Sequence, residues 1–206
     1  MHCRRMRWIP TLVALLFLGQ AALMAVAAAA NFEIVLSASE ARYRVREQLA
    51  GLNFPNDAIG TTKSISGMIV LDTHGRPAPG SKITVDLRTL RSDEGPRDNY
   101  LRQNTLTTAT FPRAEFVPRE LPGLPNPLPR SGQANAQILG DMTLRNVTRP
   151  VTWNGVAEFG GDTVRLQAAT AFKFAEFELT QPRIFRVLSI DDNIRLEVDL
   201  TLRRAS

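Results

Sequence analysis

The C-terminal stretch IRLEVDLTLR, residues 194–203, alternates aliphatic and polar side chains at every position. Because successive side chains of a β-strand point to opposite faces, this period of two predicts a strand with one dry and one wet face. The same pattern recurs in residues 41–49 and 82–88. The alternation therefore predicts an all-β protein whose strands share one buried face.

Turn-forming residues separate further segments of strand character. These segments are residues 63–71, 114–117, 134–144, 151–159 and 164–174, and the turns are residues 72–80, 160–162 and 191–193. The total is about eight strands, and neighbours joined by tight turns pair antiparallel. Such strands can bury their shared face in a two-sheet sandwich or in a closed barrel, and alternation alone leaves both architectures open.

Two segments depart from the alternation. Residues 97–106 follow the turn-forming group 92–96, and this order predicts one short helix between strands. Residues 121–131 contain four prolines, which are incompatible with a regular helix or a central strand. We expect this second segment to be an extended surface loop.

The N-terminal residues have the order of a secretory signal peptide. Arginines 4, 5 and 7 precede the apolar run 9–18, and small residues follow up to Ala30. Cleavage near Ala30 would make the protein periplasmic or secreted. An uncleaved membrane anchor is the alternative, because the alanine-rich residues 21–29 lengthen the apolar run.

This division gives a signal peptide, residues 1–30, and one domain, residues 31–206. Three of the 25 basic residues and none of the 20 acidic ones precede residue 31, so the formal net charge falls from +5 to +2. The single cysteine, Cys3, also precedes it, which leaves the domain without a disulfide or a thiolate site. We expect no nucleic-acid partner, because the domain has a small net charge and its basic strand face lacks aromatic residues.

Residues typical of catalysis are scarce in this domain. Its single histidine, His74, lies in a predicted turn, where an exposed structural role is the expectation. The carboxylates Asp86, Glu197 and Asp199 fall on wet strand faces beside basic neighbours. The sequence therefore predicts no catalytic residues, no metal site and no required cofactor.

The dry strand faces are rich in aromatic side chains. They include Trp153, Phe159, Phe172, Phe174, Phe177 and Phe185, with Tyr43, Phe54, Tyr100, Phe111 and Phe116 earlier in the chain. Such residues commonly fill a hydrophobic core. An eight-stranded barrel is just wide enough either to be filled by side chains or to hold one small ligand, and the pattern leaves both readings open.

Two stretches resemble the most characteristic motifs of the YceI-like proteins. They are RDNYLRQNTLTTATFPRAEF, residues 97–116, and GDMTLRNVTRPV, residues 140–151. Tyr43-Arg44-Val45, Ile65-Ser66-Gly67 and residues 81–93 resemble further family motifs in the same order. The resemblance covers essentially the whole domain.

This resemblance implies an extended, eight-stranded, antiparallel lipocalin-like barrel that is exported to the periplasm. Its elongated apolar cavity would hold an isoprenoid-type lipid, either a polyprenyl chain or an isoprenoid quinone. The predicted ligand-binding residues are Tyr43, Phe54, Leu87, Tyr100, Phe111, Phe116, Trp153, Phe172, Phe174 and Phe177. Arg97 is the candidate contact for a polar head group, and residues 121–131 are the candidate lid over one barrel opening.

The predicted function is non-catalytic binding and carriage or storage of this lipid. One alternative is a structural or interaction module with a filled barrel, and a further alternative is a small periplasmic enzyme. The expected partners are the lipid itself, a membrane surface contacted transiently, and a second copy of the chain in a homodimer.

Overall fold

The computed structural model describes residues 29–51, 53–183 and 187–205. The predicted signal peptide, residues 1–30, lies outside this part of the chain except for its last two residues. The strands and the α-helix in chain order are β1 (Ala30–Ile34), β2 (Glu40–Leu49), β3 (Asn56–Thr62), β4 (Ile65–Leu71), β5 (Lys82–Asp86), β6 (Arg91–Ser92), α1 (Gly95–Tyr100), β7 (Arg113–Glu120), β8 (Ser131–Leu144), β9 (Val147–Gly160), β10 (Thr163–Phe172) and β11 (Val187–Arg204). A π-helical turn, Leu101–Thr105, continues α1.

The strands form one antiparallel sheet that closes on itself. Eight of them, in the order β1-β4-β5-β7-β8-β9-β10-β11, make a ring because β1 also pairs with β11. The remaining strands β2, β3 and β6 continue the sheet from β11. The structure therefore confirms the predicted antiparallel barrel and rules out the two-sheet sandwich.

Strand β11 pairs with two successive strands of the N-terminal region. Its last residues face β1, with Ile34 opposite Leu202, whereas its earlier part faces β2, with Glu40 opposite Asp199. Only residues 35–39 separate β1 from β2, so the two act as one broken first strand. β3 and β4 are likewise separated by only two residues and act as a second broken strand. Counting each broken strand once brings the eleven observed strands close to the predicted number of about eight.

Strands β1, β3 and β6 are not among the predicted strands. β1 begins at Ala30, inside the segment assigned to the signal peptide. β3 contains Asn56, Asp57 and Gly60, which are rare in strands, and β6 has only two residues. These three elements depend on pairing with their neighbours rather than on a local pattern.

The prediction of a turn at residues 191–193 is wrong. These residues lie within β11, where the register with β2 changes. Ile190 pairs with Glu47, whereas Ile194, four residues later, pairs with Val45, only two residues away from Glu47. Two additional residues of β11 are accommodated there as a bulge, so turn-forming side chains interrupt the ladder without reversing the chain.

The predicted helix and the predicted proline-rich loop are confirmed. Helix α1 begins two residues earlier than predicted, with Pro96 in its first turn. Residues 121–130 lack regular structure.

Close backbone approach in the barrel wall requires a glycine at position 155. A Cβ atom there would lie 1.9 Å from the carbonyl oxygen of Gln167 and 2.6 Å from the Cα atom of Ala168 on β10. Both obstacles are backbone atoms, so no side-chain rotation relieves the clash.

We expect Gly155→Ala to lower the free energy of unfolding by about 1–3 kcal/mol, as overpacking does elsewhere. Gly160→Ala on the same strand is the matched control, because a Cβ atom there meets nothing within 4 Å. Urea titration followed by circular dichroism measures both. Equal stability of the two variants would contradict the close approach.

Candidate functional site

The barrel encloses a cavity of about 270 Å³. Every strand except the two-residue β6 contributes side chains to its wall, and these are almost all apolar. The volume lies just below the range of about 300–1,000 Å³ that is typical of small-molecule sites. The barrel is therefore hollow, which the alternation could not determine.

Six of the ten predicted ligand-binding residues line this cavity: Tyr43, Leu87, Phe116, Trp153, Phe172 and Phe174. The rings of Phe116 and Trp153 meet edge to face, with their centroids 6.1 Å apart. Since these residues come from β2, β7, β9, β10 and the turns that follow β5 and β10, the wall is assembled only when the barrel closes.

The other four predicted residues are not in the cavity wall. Phe54 lies beyond the end of β2 at Leu49, and its ring is 80% exposed. Phe177 is buried behind the wall, where its ring meets that of Phe172 at a centroid distance of 4.6 Å. Phe111 packs under the guanidinium of Arg145 at 5.6 Å from its ring centroid, and Tyr100 also lies outside the lining.

Phe185, which belongs to the predicted dry face, falls outside the described residues. Small and loop residues, in contrast, line the cavity although the aromatic pattern did not indicate them. These are Ala58, Ala136, Ala157 and Ala168 on the strands, and Leu121, Leu124 and Leu128 in the proline-rich loop. The alanines leave the room that larger side chains would fill, and their inward position on alternating strands is the sequence signal that identifies them.

The proline-rich loop contributes part of the cavity wall. Its three leucines point inward, whereas Pro125 and Asn126 between them are exposed. The loop is linked to neighbouring turns, because the Gly161 amide donates to the Arg130 carbonyl oxygen at 2.7 Å. The loop therefore contributes apolar side chains to the cavity wall.

Charged residues lie where α1 meets the barrel. Arg97, the predicted head-group contact, donates to Glu47 of β2 at 2.6 Å and to Asp93 at 2.6 Å. The side chains of Arg97 and Glu47 are only 11% and 5% exposed, and both residues line the cavity. Asp98 is also buried and accepts hydrogen bonds from the Ser92 amide at 2.9 Å and the Ser92 hydroxyl at 2.7 Å.

This environment affects the protonation of two side chains. Burial lowers the pKa of Arg97, but the hydrogen bond to Asp93 and the charge of Glu47 outweigh it and raise that pKa above its ordinary value. Burial raises the pKa of Tyr43 to about 12. At neutral pH the cavity wall therefore carries a charged guanidinium and a protonated phenol.

His74, the histidine considered for catalysis in the sequence, lies outside the cavity wall. His74 is exposed in a turn, as the sequence indicated. Its backbone amide donates a hydrogen bond to the Asp72 carboxylate. No group of three or more histidine, cysteine, aspartate or glutamate side chains in this part of the chain is arranged to hold a metal ion.

The basic strand face of β2 is paired with acidic neighbours. Arg44 bonds Asp57 at 2.9 Å and contacts Glu197 at 3.5 Å, and Arg42 contacts Glu197 at 3.7 Å. These cross-strand pairs give the arginines a structural role on the outer surface. No helix within the described ranges is long and apolar enough to cross a membrane.

The protein is therefore a closed antiparallel β-barrel of the kind that has an internal apolar cavity, with a buried ion pair in the cavity wall. The YceI-like domain family matches residues 32–202, and the chain belongs to this family. The predicted resemblance is thereby confirmed.

Relatives of known sequence and structure agree with this assignment. A UPF0312 protein of Pseudomonas putida (strain W619) is 30% identical over 60% of this chain, and the match spans 64% of that protein's length. A UPF0312 protein of Enterobacter sp. (strain 638) is 27% identical over 75% of this chain and 78% of its own. A polyisoprenoid binding domain from Saccharophagus degradans superposes with a TM-score of 0.67, covering 84% of this chain and 98% of that domain at 13% identity, which shows a shared fold.

The buried pair predicts a strong dependence of stability on both partners. Arg97→Leu leaves Glu47 as an uncompensated buried carboxylate, and we expect it to lose about 3–5 kcal/mol of unfolding free energy. Glu47→Leu leaves Arg97 with Asp93 as its remaining partner, and we expect a smaller loss. The double variant should recover most of this loss.

A double-mutant cycle by urea denaturation measures the coupling. Lys82→Gln is the matched control for a surface pair, because Lys82 and Glu115 are bridged at 3.2 Å on the solvent side and should contribute less than about 1 kcal/mol. Additive losses in the cycle would show that Glu47 and Arg97 are independent.

Proposed function

We propose that this protein binds an apolar, isoprenoid-type lipid in its barrel and carries or stores it without chemical change. The single observation that carries this proposal is an apolar cavity enclosed within a closed barrel. Membership of the YceI-like family and the fold shared with a polyisoprenoid binding domain support it. A module with a filled barrel would have no such cavity.

The physical basis is the transfer of apolar surface out of water. Each buried methylene contributes about 0.8 kcal/mol before the costs of ordering, so a long hydrocarbon chain needs few polar contacts to be held. The wall of leucine, valine, alanine and phenylalanine side chains matches such a chain. No set of side chains for nucleophilic or metal-assisted catalysis lies along it in the described residues, which supports binding without reaction.

Filling the cavity should abolish binding. Ala157 lines the cavity and is only 2% exposed. The variant Ala157→Phe replaces its methyl group by a ring that occupies space otherwise open to the ligand. Val156→Phe is the matched control, because Val156 is the neighbouring residue on β9 and points outward.

Native mass spectrometry of protein purified without detergent and then exposed to an isoprenoid quinone or a polyprenol measures occupancy. We expect bound mass for the wild type and Val156→Phe, and at least a tenfold loss for Ala157→Phe at equal folded content. A wild-type protein that takes up neither lipid would contradict the proposed function.

The proline-rich loop should control ligand exchange. Replacing its inward leucines in Leu124→Ser together with Leu128→Ser weakens the apolar cover, and we expect ligand release to accelerate about tenfold in a lipid-transfer assay between vesicles. Pro125→Ser, an exposed change in the same loop, is the control. Unchanged release from the double variant would remove the lid from the proposal.

The site of action and the partners belong to the same proposal. We propose that the protein acts in the periplasm or after secretion, since its first residues have the order of an export signal, and that it takes the lipid from a membrane during a transient contact. Phe54 and Leu188 support this contact, because both side chains are exposed at the same end of β2. Phe54 follows Leu49 in the chain, and Leu188 comes directly after Val187, which pairs with Leu49. Co-sedimentation with vesicles tests the contact, and light scattering tests the expected homodimer.

A further inference from the structure

Part of the outer barrel wall carries no charge. Along β8, β9 and β10 inward and outward side chains alternate, because successive residues of a strand point to opposite faces. Register places Asn154 of β9 between Gln137 and Ala169. Nine neighbouring outward positions around it form an uncharged surface, the neutral face: Asn135, Gln137 and Leu139 on β8, Thr152, Asn154 and Val156 on β9, and Gln167, Ala169 and Ala171 on β10.

A solvated wall of this size would carry charge. Surfaces of soluble domains are about 25–35% charged, so nine positions would hold about two or three charged residues. The charges lie around the neutral face: Glu158 opposite Arg165 at one end, Asp141 beside β7, and Glu197 and Asp199 on β11. An uncharged centre within a charged rim is the arrangement typical of protein interfaces.

The rim charges are compensated within the chain. Glu197 bonds Arg195 at 2.8 Å and Asp199 pairs with Arg42, while Asp141 pairs with Arg119. The rim therefore neither requires nor repels a charged partner, and the neutral face itself decides what can dock.

The side chains of the neutral face favour a second copy of the same surface. Amide groups both donate and accept hydrogen bonds, so the surface complements itself, whereas a charged surface would meet like charges on its own copy. A charged partner would find no counter-charge there. A membrane would find no aromatic ring and only two larger aliphatic side chains, Leu139 and Val156, whereas membrane-binding surfaces use larger apolar groups and basic residues.

The dimensions indicate a weak association. Three strands about 4.8 Å apart, each with five residues at a rise of about 3.4 Å, give a footprint of about 14 by 17 Å. Even with its rim, this surface belongs at the small end of interfaces, below the total of about 1,200–2,000 Å² buried in stable complexes. A notch between Pro122 and Gly123 of the proline-rich loop and Asn135 of β8 offers space for side chains of a partner.

We propose that two copies of this chain form a symmetric dimer through the neutral face, with their β9 strands at its centre. In a two-fold interface both copies use the same patch, so a residue on the axis faces its own counterpart. Asn154 is that residue, because it lies in the middle of the nine positions. This inference rests on the homodimer in the proposed function and deepens it by naming the surface.

A charge at Asn154 should separate the copies. Asn154→Glu and Asn154→Lys each oppose like charges across the axis, and we expect each to weaken dimerisation at least about tenfold in sedimentation velocity over about 1–200 μM protein. Both variants should keep the wild-type resistance to urea, because Asn154 is exposed.

The matched controls are Ser66→Glu and Ser66→Lys. Ser66 is an exposed residue of β4, which lies four strands from β9 in either direction around the eight-stranded ring. These variants should dimerise as the wild type does.

Mixing the charged variants tests whether the partner is a second copy. In a mixed dimer of Asn154→Glu and Asn154→Lys the two opposite charges face each other, so the equimolar mixture should recover at least the wild-type affinity. A different partner protein would not produce this recovery.

Native mass spectrometry of the same samples counts chains and bound isoprenoid separately. A wild-type dimer that persists in both Asn154 variants, or a mixture that stays monomeric, would overturn the neutral face as the dimer surface. A wild type that is monomeric at every concentration would overturn the homodimer too. Each of these results leaves lipid binding in place where isoprenoid mass is present, whereas its absence from the wild type after exposure to the lipid contradicts the proposed function.

Discussion

The pairing of β1 with the last residues of β11 is the constraint on which the rest of the structure depends. Without it the sheet has two free edges, and the apolar faces of its strands would need another layer to cover them. With it, eight strands enclose their own apolar side chains. The closure is possible because β11 is long enough to pair with β1 at one end and with β2 over the rest of its length.

Closure also explains why a cavity persists. The wall has alanines at positions 58, 136, 157 and 168, and closely packed interiors elsewhere leave few such gaps. A barrel of fixed strand number cannot contract around small side chains as a sandwich can, since its radius is set by the hydrogen-bonded ring. The space left by the alanines is therefore a property of the fold.

Two paired charged residues lie in the cavity wall at the junction with α1. Arg97 and Glu47 neutralise each other inside an apolar wall, and their mutual attraction and Asp93 offset part of the cost of burying them. The leucines of residues 121–130 close the wall with apolar groups alone. The cavity thus has one polar region in an otherwise apolar wall.

The sequence by itself determined the strands with clear alternation, the short helix after residues 92–96 and the proline-rich loop, because each follows from a local pattern or from proline geometry. It also indicated that Tyr43, Phe116 and Trp153 face inward. The broken first strand, the bulge at residues 191–193, the exposure of Phe54 and the buried partner of Arg97 were decided by the tertiary structure. Each depends on which distant segment lies opposite, and Glu47 and Arg97 are 50 residues apart in the chain. Alternation assigns a side chain to a face, but only the closed ring decides whether that face surrounds side chains or a cavity.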